Sequence, residues 1–303
     1  MPTTEKSQKT WAIWLRVIRV RFLLASVIAV ALGLALSWWQ TSQINILHAG
    51  LTMAGVLALH ASIDLLNDYW DFRRGIDTKT KRTKMSGGTG VLPEGLLKPV
   101  QVYKAGIAFL ILGTLIGSYF VVIDGIIIAA ILGFAVLSIY FYSTKIVDSG
   151  LAEVFVAIKG TMIVLGTYFI QTSEIAINPI FAGIVVGVLS SLVLFITSFP
   201  DYDADKSKGR KTLVIAVGKK NATNIFWIFP VISFGVIVGC VILDLFPVFS
   251  LITLVTIPLI IKSGRNLKTS FHDNNLIVPV MTKTLMFSRI TGTLLVIGFL
   301  LNL

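Results

Sequence analysis

Long apolar runs alternate with short polar links along almost the whole of the 303-residue chain. A helix that crosses about 30 Å of hydrocarbon needs about 20 residues, and nine of the runs are close to that length. The pattern predicts an all-α integral membrane protein with nine transmembrane helices. The predicted spans are residues 22–40, 44–66, 100–123, 125–142, 151–171, 175–199, 225–243, 245–261 and 284–301.

Basic residues collect in alternate links. The segment before the first span and the links after the second, sixth and eighth spans carry most of the Lys and Arg, whereas the links after the odd-numbered spans carry only acids or no charge. Because positive charge stays on the cytoplasmic side, the N-terminus and the basic links are predicted to be cytoplasmic. No small-residue cleavage site follows the first apolar run, so we interpret that run as a retained helix.

Composition narrows the class of protein further. Hydrophobic residues make up 55% and charged residues 14% of the chain, which excludes disordered chains and ordinary soluble domains. A net charge of +11 would suggest nucleic acid in a soluble protein. Here the charges lie in the links, so lipid headgroups and phosphorylated substrates are the expected partners, and nucleic acid is not. We predict one transmembrane domain over 1–303, with long loops at about 67–99 and 201–223.

An acidic cluster begins each of these two loops. Asn67, Asp68 and Asp71 follow the second span, and Asp201 and Asp205 follow the sixth. Residues three or four apart share one face of a continued helix, so the oxygen atoms within each cluster should converge. Either cluster alone also fits a solvated helix end. The matched pair favours a site for a hard divalent cation.

Magnesium suits such a pair of clusters. It is typically bound by one or two carboxylates together with phosphate oxygens and waters, and it makes a diphosphate a better leaving group. Lys145, Lys206 and Arg210 are expected near the clusters, on the same side of the membrane, so they are candidates for binding the remaining phosphate oxygens. The residues therefore indicate a Mg²⁺-dependent site for a diphosphate.

The chain resembles the UbiA superfamily of intramembrane prenyltransferases, whose two aspartate-rich motifs read approximately NDxxDxxxD and DxxxD. The resemblance covers most of the chain, and four segments point to the menaquinone branch of that superfamily. They are NDYWDFRRGIDT at 67–78, SGGTGVLPEGLL at 86–97, GLAEVFVAIKGTMIVLGTYFIQT at 150–172 and DYDADKSKGRKTLVIAVGKKNA at 201–222.

The first motif departs from the general pattern of the superfamily. Gly75 stands where a third aspartate is usual, and the next acid is Asp77. The menaquinone branch is similar in this respect. The departure leaves open the role of Asp77 and of the loop at 79–92, where Ser86 to Gly90 reads as a flexible loop or a flap over the substrate.

The resemblance implies a bundle of nine helices around a central cavity. The implied reaction is Mg²⁺-dependent transfer of a polyprenyl group from its diphosphate to an aromatic ring such as 1,4-dihydroxy-2-naphthoate. Asn67, Asp68 and Asp71 match the first metal motif, and Asp201 and Asp205 match the second. Their aspartates are thereby expected to be catalytic through the metal.

Ionisation of an allylic diphosphate leaves a carbocation, which needs a dry pocket with electron-rich walls. Tyr142 is the aromatic candidate because it adjoins Lys145 at a predicted cytoplasmic helix end. Arg21 is the deepest arginine before the first span, and it fits a substrate contact or a membrane anchor. Lys159 lies inside the fifth span, where an unpaired charge costs about 3 kcal/mol or more, so it should face the cavity or a partner.

Other polar residues inside the spans have weaker interpretations. Glu153 fits either a cavity wall or a helix contact, and Asp64 lies one helical turn before the first motif, where it fits a group that supports the metal site. His48 and His60 fit polar contacts between helices better than metal ligands.

Two alternatives remain at this point. The aspartates of a cation or metabolite transporter would bind the transported ion, but transport sites usually lie near the membrane midplane, whereas these acids lie at one end among Lys and Arg. The second alternative keeps the prenyltransferase fold and replaces the acceptor with 4-hydroxybenzoate or a glycerol phosphate ether lipid. Residue spacing does not distinguish these acceptors.

Overall fold

The structure is a computed structural model that describes residues 9–78, 82–83 and 85–301. Within those residues the protein is helical and contains no strand, and nine helices are long and apolar enough to cross a membrane. The α-helices are α1 (Thr10–Val17), α2 (Val20–Thr41), α3 (Ile46–Arg73), α4 (Pro99–Asp124), α5 (Ile126–Phe141), α6 (Ala152–Thr172), α7 (Ile177–Ser207), α8 (Leu213–Val217), α9 (Lys219–Ile225), α10 (Ile228–Ile242), α11 (Ile257–Ser270) and α12 (Asn274–Leu300).

Tight turns follow α4 and α10. Gly125, with φ of 76°, ends α4 and directly precedes α5, and Asp244 at φ 56° lies in the turn after α10. Positive φ is a conformation that glycine adopts without steric cost, so the residue type at 125 suits the turn. The eighth span begins with a 3-10 helix at Val248–Thr256 and continues as α11.

Two helices extend well past their predicted apolar spans. Helix α3 continues from 66 to Arg73 and α7 from 199 to Ser207, so each carries its acidic cluster on a continuous helix. Pro200 lies inside α7, where it lacks the N–H that would bond to the preceding turn. Both clusters lie at the same end of the bundle, which we call the motif end. It also contains α1 and the start of α12.

Two helical segments differ from the predicted spans. Helix α1 precedes the first span and lies at the motif end, with Trp11 and Leu15 exposed and Val17 buried, as in an amphipathic helix at an interface. Helix α12 begins ten residues before the predicted 284, because Asp273 caps it by accepting hydrogen bonds from the backbone N–H groups of Asn275 and Leu276. Neither start depends on apolar periodicity, which explains why the span search missed them.

Helices α6 and α7 approach each other closely through glycine. A Cβ atom on Gly160 would lie 2.5 Å from the Cα atom of Gly187, and one on Gly187 would overlap the carbonyl oxygen of Ala157. Ser191 on α7 also donates a hydrogen bond of 2.5 Å to the carbonyl oxygen of Glu153. Small residues allow such close packing of membrane helices. The contact fixes the wall of α6 relative to the second acidic cluster.

Candidate active site

A cavity of about 280 Å³ opens between the acidic clusters and extends into the apolar part of the bundle. Its polar mouth contains Asn67, Asp71, Asp77, Asp201, Asp205 and Arg210, contributed by α3, α7 and the links that follow them. Its deeper wall contains apolar side chains of α2, α3, α5, α6 and α7, including Phe134 and Phe155, whose rings stack with centroids 6.1 Å apart. The two predicted motifs thus face a common cavity.

Asn67 and Asp71 form the first side of the mouth. They are one helical turn apart, and the Asn67 Nδ2 atom donates a hydrogen bond of 3.1 Å to Asp71 Oδ2. Ser143, in the π-helical turn after α5, donates to Asn67 Oδ1 over 2.9 Å. Asn67 therefore has a hydrogen bond on both its amide nitrogen and its amide oxygen, which fixes the orientation of the amide group.

Asp68 points in a different direction and does not line this cavity. The backbone N–H and the hydroxyl of Thr89 donate to its two oxygens over 3.1 and 2.5 Å, and Arg19 Nη2 lies 2.9 Å from Oδ1. The side chain is fully buried. In this structure Asp68 holds the 86–90 loop and Arg19 against α3.

Asp201 and Asp205 form the second side of the mouth. The backbone N–H of Gly87 donates to Asp201 Oδ2 over 3.1 Å, while Asp201 Oδ1 is buried and has no hydrogen-bond partner in the described chain. Asp205 Oδ1 accepts a hydrogen bond of 3.2 Å from Arg210 Nη1. One carboxylate oxygen at the mouth therefore remains available for a ligand.

Arg210 joins the two motifs. It is ion-paired with Asp205 on α7 and, through Nη2, with Asp71 on α3. Burial alone would lower the pKa of Arg210, but the two carboxylates raise it above the ordinary value, so the side chain is charged. The guanidinium balances part of the negative charge that the two helix ends bring together.

Asp77 is a further acid at the mouth. Burial, with Asp71 and Asp68 adding to the effect, raises its pKa to about 8. Its carboxyl group is therefore mostly protonated at neutral pH, and the Oδ2 atom has no hydrogen-bond partner in the described chain. Gly88 packs directly over this carboxyl group, closer than a Cβ atom would allow.

The other predicted substrate-binding residues divide into two groups. Tyr142 and Arg210 line the cavity, whereas Lys145, Lys206 and Arg21 do not. Lys145 is exposed with its Nζ atom 4.9 Å from the Phe141 ring centroid, and Lys206 Nζ lies 5.5 Å from that of Tyr202. Lys206 directly follows Asp205, and adjacent helical residues point about 100° apart. Arg21 is exposed in a separate basic groove beside Arg16 and Arg82.

Several polar side chains of the spans also line the cavity. Lys159 and Glu153 do so, as does Asp64. His60 is both a cavity residue and a helix contact, since its Nδ1 atom lies 2.6 Å from the hydroxyl of Ser26. Arg289 lies inside α12 and also lines the cavity. In the sequence, an isolated charged residue within an apolar run indicates such a cavity position.

The oxygen atoms at the mouth fit a magnesium ion that shares its ligands with a substrate. No group of three or more His, Cys, Asp or Glu side chains in the described residues lies close enough to hold a metal ion by itself. Mg²⁺ does not require such a group, because it is commonly bound by one or two carboxylates, waters and phosphate oxygens. Asn67, Asp71, Asp201 and Asp205 would hold it, and Asp201 Oδ1 is the unpartnered oxygen among them.

Comparisons with known proteins agree with this geometry. The 1,4-dihydroxy-2-naphthoate octaprenyltransferase of Escherichia coli is 26% identical over 99% of this chain and 98% of the relative, and that of Bacillus subtilis is 25% identical over 94% and 91%. A UbiA homologue from Archaeoglobus fulgidus bound to GPP and Mg²⁺ superposes with a TM-score of 0.61 at 16% identity, covering 93% of this chain and 99% of that one. A homologue from Aeropyrum pernix gives a TM-score of 0.69 at 15% identity, over 91% and 97%.

These likenesses establish the class of protein. The solved structures share the fold, which confirms the prediction of an all-helical membrane bundle. The sequence profile of the UbiA prenyltransferase family matches residues 25–274. Prenyl transfer therefore replaces transport as the assigned class of activity. The chain belongs to the UbiA prenyltransferase family and is an integral membrane prenyltransferase.

Proposed function

We propose that this protein transfers a polyprenyl group from its diphosphate to an aromatic acid of the 1,4-dihydroxy-2-naphthoate type, with Mg²⁺ at the cavity mouth. The observation that carries the proposal is one cavity whose two ends differ in polarity. Its mouth combines the carboxylates of α3 and α7, and the side chains around its inner part are mostly apolar and lie within the membrane spans. A diphosphate headgroup and a prenyl chain require these two environments together. From the basic links we infer that the mouth lies on the cytoplasmic side.

Arg210 and the acids divide the task of binding the headgroup. When bound, Mg²⁺ neutralises the diphosphate and stabilises it as a leaving group. Asp71, Asp201 and Asp205 would hold the ion through carboxylate oxygens at the mouth, and Arg210 would bind phosphate oxygens with its planar guanidinium. Gly87 contributes the backbone N–H that orients Asp201.

The apolar wall protects the reacting carbon from water. Phe134, Phe155 and Tyr142 line the cavity below the mouth. Aromatic faces attract a cation, and an apolar wall excludes the water that would quench an allylic carbocation. The bundle therefore provides both conditions that the proposed reaction needs.

The choice of acceptor rests on the bacterial relatives and on the first motif. Both relatives carry the name 1,4-dihydroxy-2-naphthoate octaprenyltransferase and align over nearly the whole chain. Gly75 in place of a third aspartate is similar to the menaquinone branch. A solved digeranylgeranylglyceryl phosphate synthase shares the fold at 18% identity, so a glycerol phosphate lipid belongs among the acceptors to be tested.

The test is product formation by the purified protein in detergent with a labelled polyprenyl diphosphate. Parallel reactions contain 1,4-dihydroxy-2-naphthoate, 4-hydroxybenzoate or a glycerol phosphate lipid, each with Mg²⁺ or with EDTA. We expect a prenylated naphthol that disappears with EDTA. Product with another acceptor alone would overturn the acceptor, and product that persists in EDTA would overturn the metal.

Two variants and a matched control test the site. Asp71→Asn and Asp205→Asn should each lower kcat/KM by at least 100-fold, because each removes a charge that balances cations at the mouth. Asp203→Asn is the control, since this side chain lies between the paired acids of the second motif and is 88% exposed. It should retain activity close to that of the unmodified protein. Equal losses in all three variants would contradict the assignment.

A further inference from the structure

A second group of polar side chains lies deeper in the same cavity, beyond the diphosphate site. His60 and Asp64 come from α3, Lys159 from α6 and Arg289 from α12, and all four line the cavity within helices that span the membrane. The binding of a diphosphate at the mouth does not use them. Charged side chains at such depth are costly unless they are paired or functional.

Lys159 is the least satisfied member of this group. Among the residues that the structure describes, no group forms a hydrogen bond with its ammonium group, and no carboxylate oxygen lies within ion-pair distance of it. Asp64 and Arg289 act on it only through longer-range electrostatics. The Oδ2 atom of Asp64 instead lies 3.8 Å from His60 Nε2 and has no hydrogen-bond partner among the described residues.

Arg289 is also incompletely bonded. Its Nη2 atom donates a long hydrogen bond of 3.4 Å to the carbonyl oxygen of Phe22, and its Nε atom is buried without a partner in the described chain. Two cations therefore face the inner cavity, and Asp64 is the carboxylate beside them. One more negative charge would balance this part of the cavity.

The mouth has the opposite charge balance. Asp71, Asp201 and Asp205 face Arg210 there, so carboxylates outnumber cations. Asp71 and Asp64 are seven residues apart on α3, which is about 10 Å along the helix axis. The cavity thus offers a cation-binding end and, about two helical turns deeper, an anion-binding region. A diphosphate with Mg²⁺ belongs at the first, and a simple carboxylate fits the second.

We propose that Lys159 and Arg289 form an anion subsite that binds the carboxylate of the aromatic acceptor. The inference rests on the proposed function for the identity of the acceptor. A carboxylate held at Lys159 leaves the attached ring between this subsite and the mouth, beside the aromatic wall and below the diphosphate. Lys159 is thus a residue that determines acceptor specificity by favouring aromatic acids over neutral phenols of the same shape.

The experiment measures equilibrium binding without diphosphate or Mg²⁺, so it does not depend on turnover. Quenching of tryptophan fluorescence in the purified full-length protein reports the dissociation constants of 1,4-dihydroxy-2-naphthoate and of 1,4-dihydroxynaphthalene, which has the same ring without the carboxylate. The variants are Lys159→Met and Lys159→Arg. Lys262→Met is the matched control, because Lys262 is exposed and lies outside the cavity.

Lys159→Met should weaken binding of the acid by about 10-fold or more and leave binding of the neutral ring nearly unchanged, since a charge-assisted contact is lost. Lys159→Arg should keep most of the preference for the acid, and Lys262→Met all of it. An unchanged preference in Lys159→Met would overturn the subsite. Equally tight binding of a saturated fatty acid would overturn its assignment to the aromatic acceptor.

A double variant separates this role from simple neutralisation of Asp64. Lys159→Met with Asp64→Asn removes both charges, so it restores the balance that Lys159→Met alone disturbs. If the preference for the acid stays lost in the double variant, Lys159 acts on the ligand, and if the preference returns, the proposal is wrong. Acid binding by a protein that forms no prenylated product would reject the proposed function and keep the subsite.

Discussion

Asp68 and Asp71 are three residues apart in one motif, yet their side chains have different surroundings. Asp71 faces the cavity and Arg210, whereas Asp68 is enclosed by Thr89 and Arg19. Both were predicted as metal ligands because residues three apart lie on a similar face of a helix. In the structure Asp68 has hydrogen-bond donors on both of its oxygens, so its structural task is to hold the loop.

Asp68→Asn should therefore loosen the 86–90 loop and leave the metal requirement little changed. The substitution removes the charge that pairs with Arg19 and weakens the two bonds from Thr89. We expect faster hydrogen exchange in the loop and a Mg²⁺ concentration for half-maximal activity within about threefold of the original. Thr89→Val, which removes the hydroxyl bond alone, should show the same effect on exchange to a smaller degree.

A Mg²⁺ dependence shifted as far in Asp68→Asn as in Asp71→Asn would contradict this division of tasks. The sequence indicated which acids are candidate metal ligands, because they are spaced three or four residues apart, as on one face of a helix. It did not show which of them would be enclosed. That depends on Thr89 and Arg19, which are 21 and 49 residues away in the chain.

At the scale of helices, the contact between α6 and α7 sets the width of the cavity. Gly160 and Gly187 let the two backbones meet, and α6 contributes Glu153 and Lys159 to the cavity wall beside α7. The apolar runs predicted nearly all of the spanning helices. Their polar extensions at 67–73 and 200–207 followed from the spacing within the motifs, whereas α1 and the early start of α12 depend on capping and on the membrane interface.

Gly187→Ala should destabilise the protein by about 1–3 kcal/mol, as overpacking of a close contact usually does. The added Cβ atom would overlap backbone atoms of Ala157, which have no freedom to rotate away. Thermal unfolding in detergent measures the change. Gly235→Ala on α10 is the control, because nothing lies within 4 Å of its added Cβ atom. A similar midpoint for both variants would show that α6 and α7 can separate without cost.

At the scale of the whole molecule, a network of ion pairs ties α1 to the loop over the mouth. Arg16 binds both oxygens of Glu94 over 2.9 and 2.7 Å and also donates to the carbonyl oxygen of Thr89 over 2.8 Å. Arg82 is a second ion-pair partner of Glu94. The network joins segments that are far apart in sequence, so spacing along the chain did not reveal it.

The Glu94 network should weaken in acid. Hydrogen bonds from Arg16 and Arg82 lower the pKa of Glu94 from 4.5 to about 2, so the ionised form is favoured in the folded protein. Its stabilising effect is complete above about pH 4.5 and is lost as the pH falls toward 2. Hydrogen exchange over residues 85–97, corrected for the intrinsic effect of pH, should accelerate across that window.

Glu94→Gln supplies the control for this titration. It should show faster exchange at neutral pH and little further change between pH 4.5 and 3, because the ionisable group is absent. If hydrogen exchange accelerates over the same pH range in both proteins, another carboxyl group causes the acid response.

The ion pairs of Arg210 with Asp71 and Asp205 have a consequence for how ligands bind at the mouth. The protein supplies its own counter-ion at the position where the substrate's cations are expected. Loading of the mouth is then a competition between two kinds of positive charge, and its apparent affinity reflects the difference between them. In the free protein the guanidinium therefore compensates part of the negative charge that Asp71 and Asp205 bring next to the hydrocarbon.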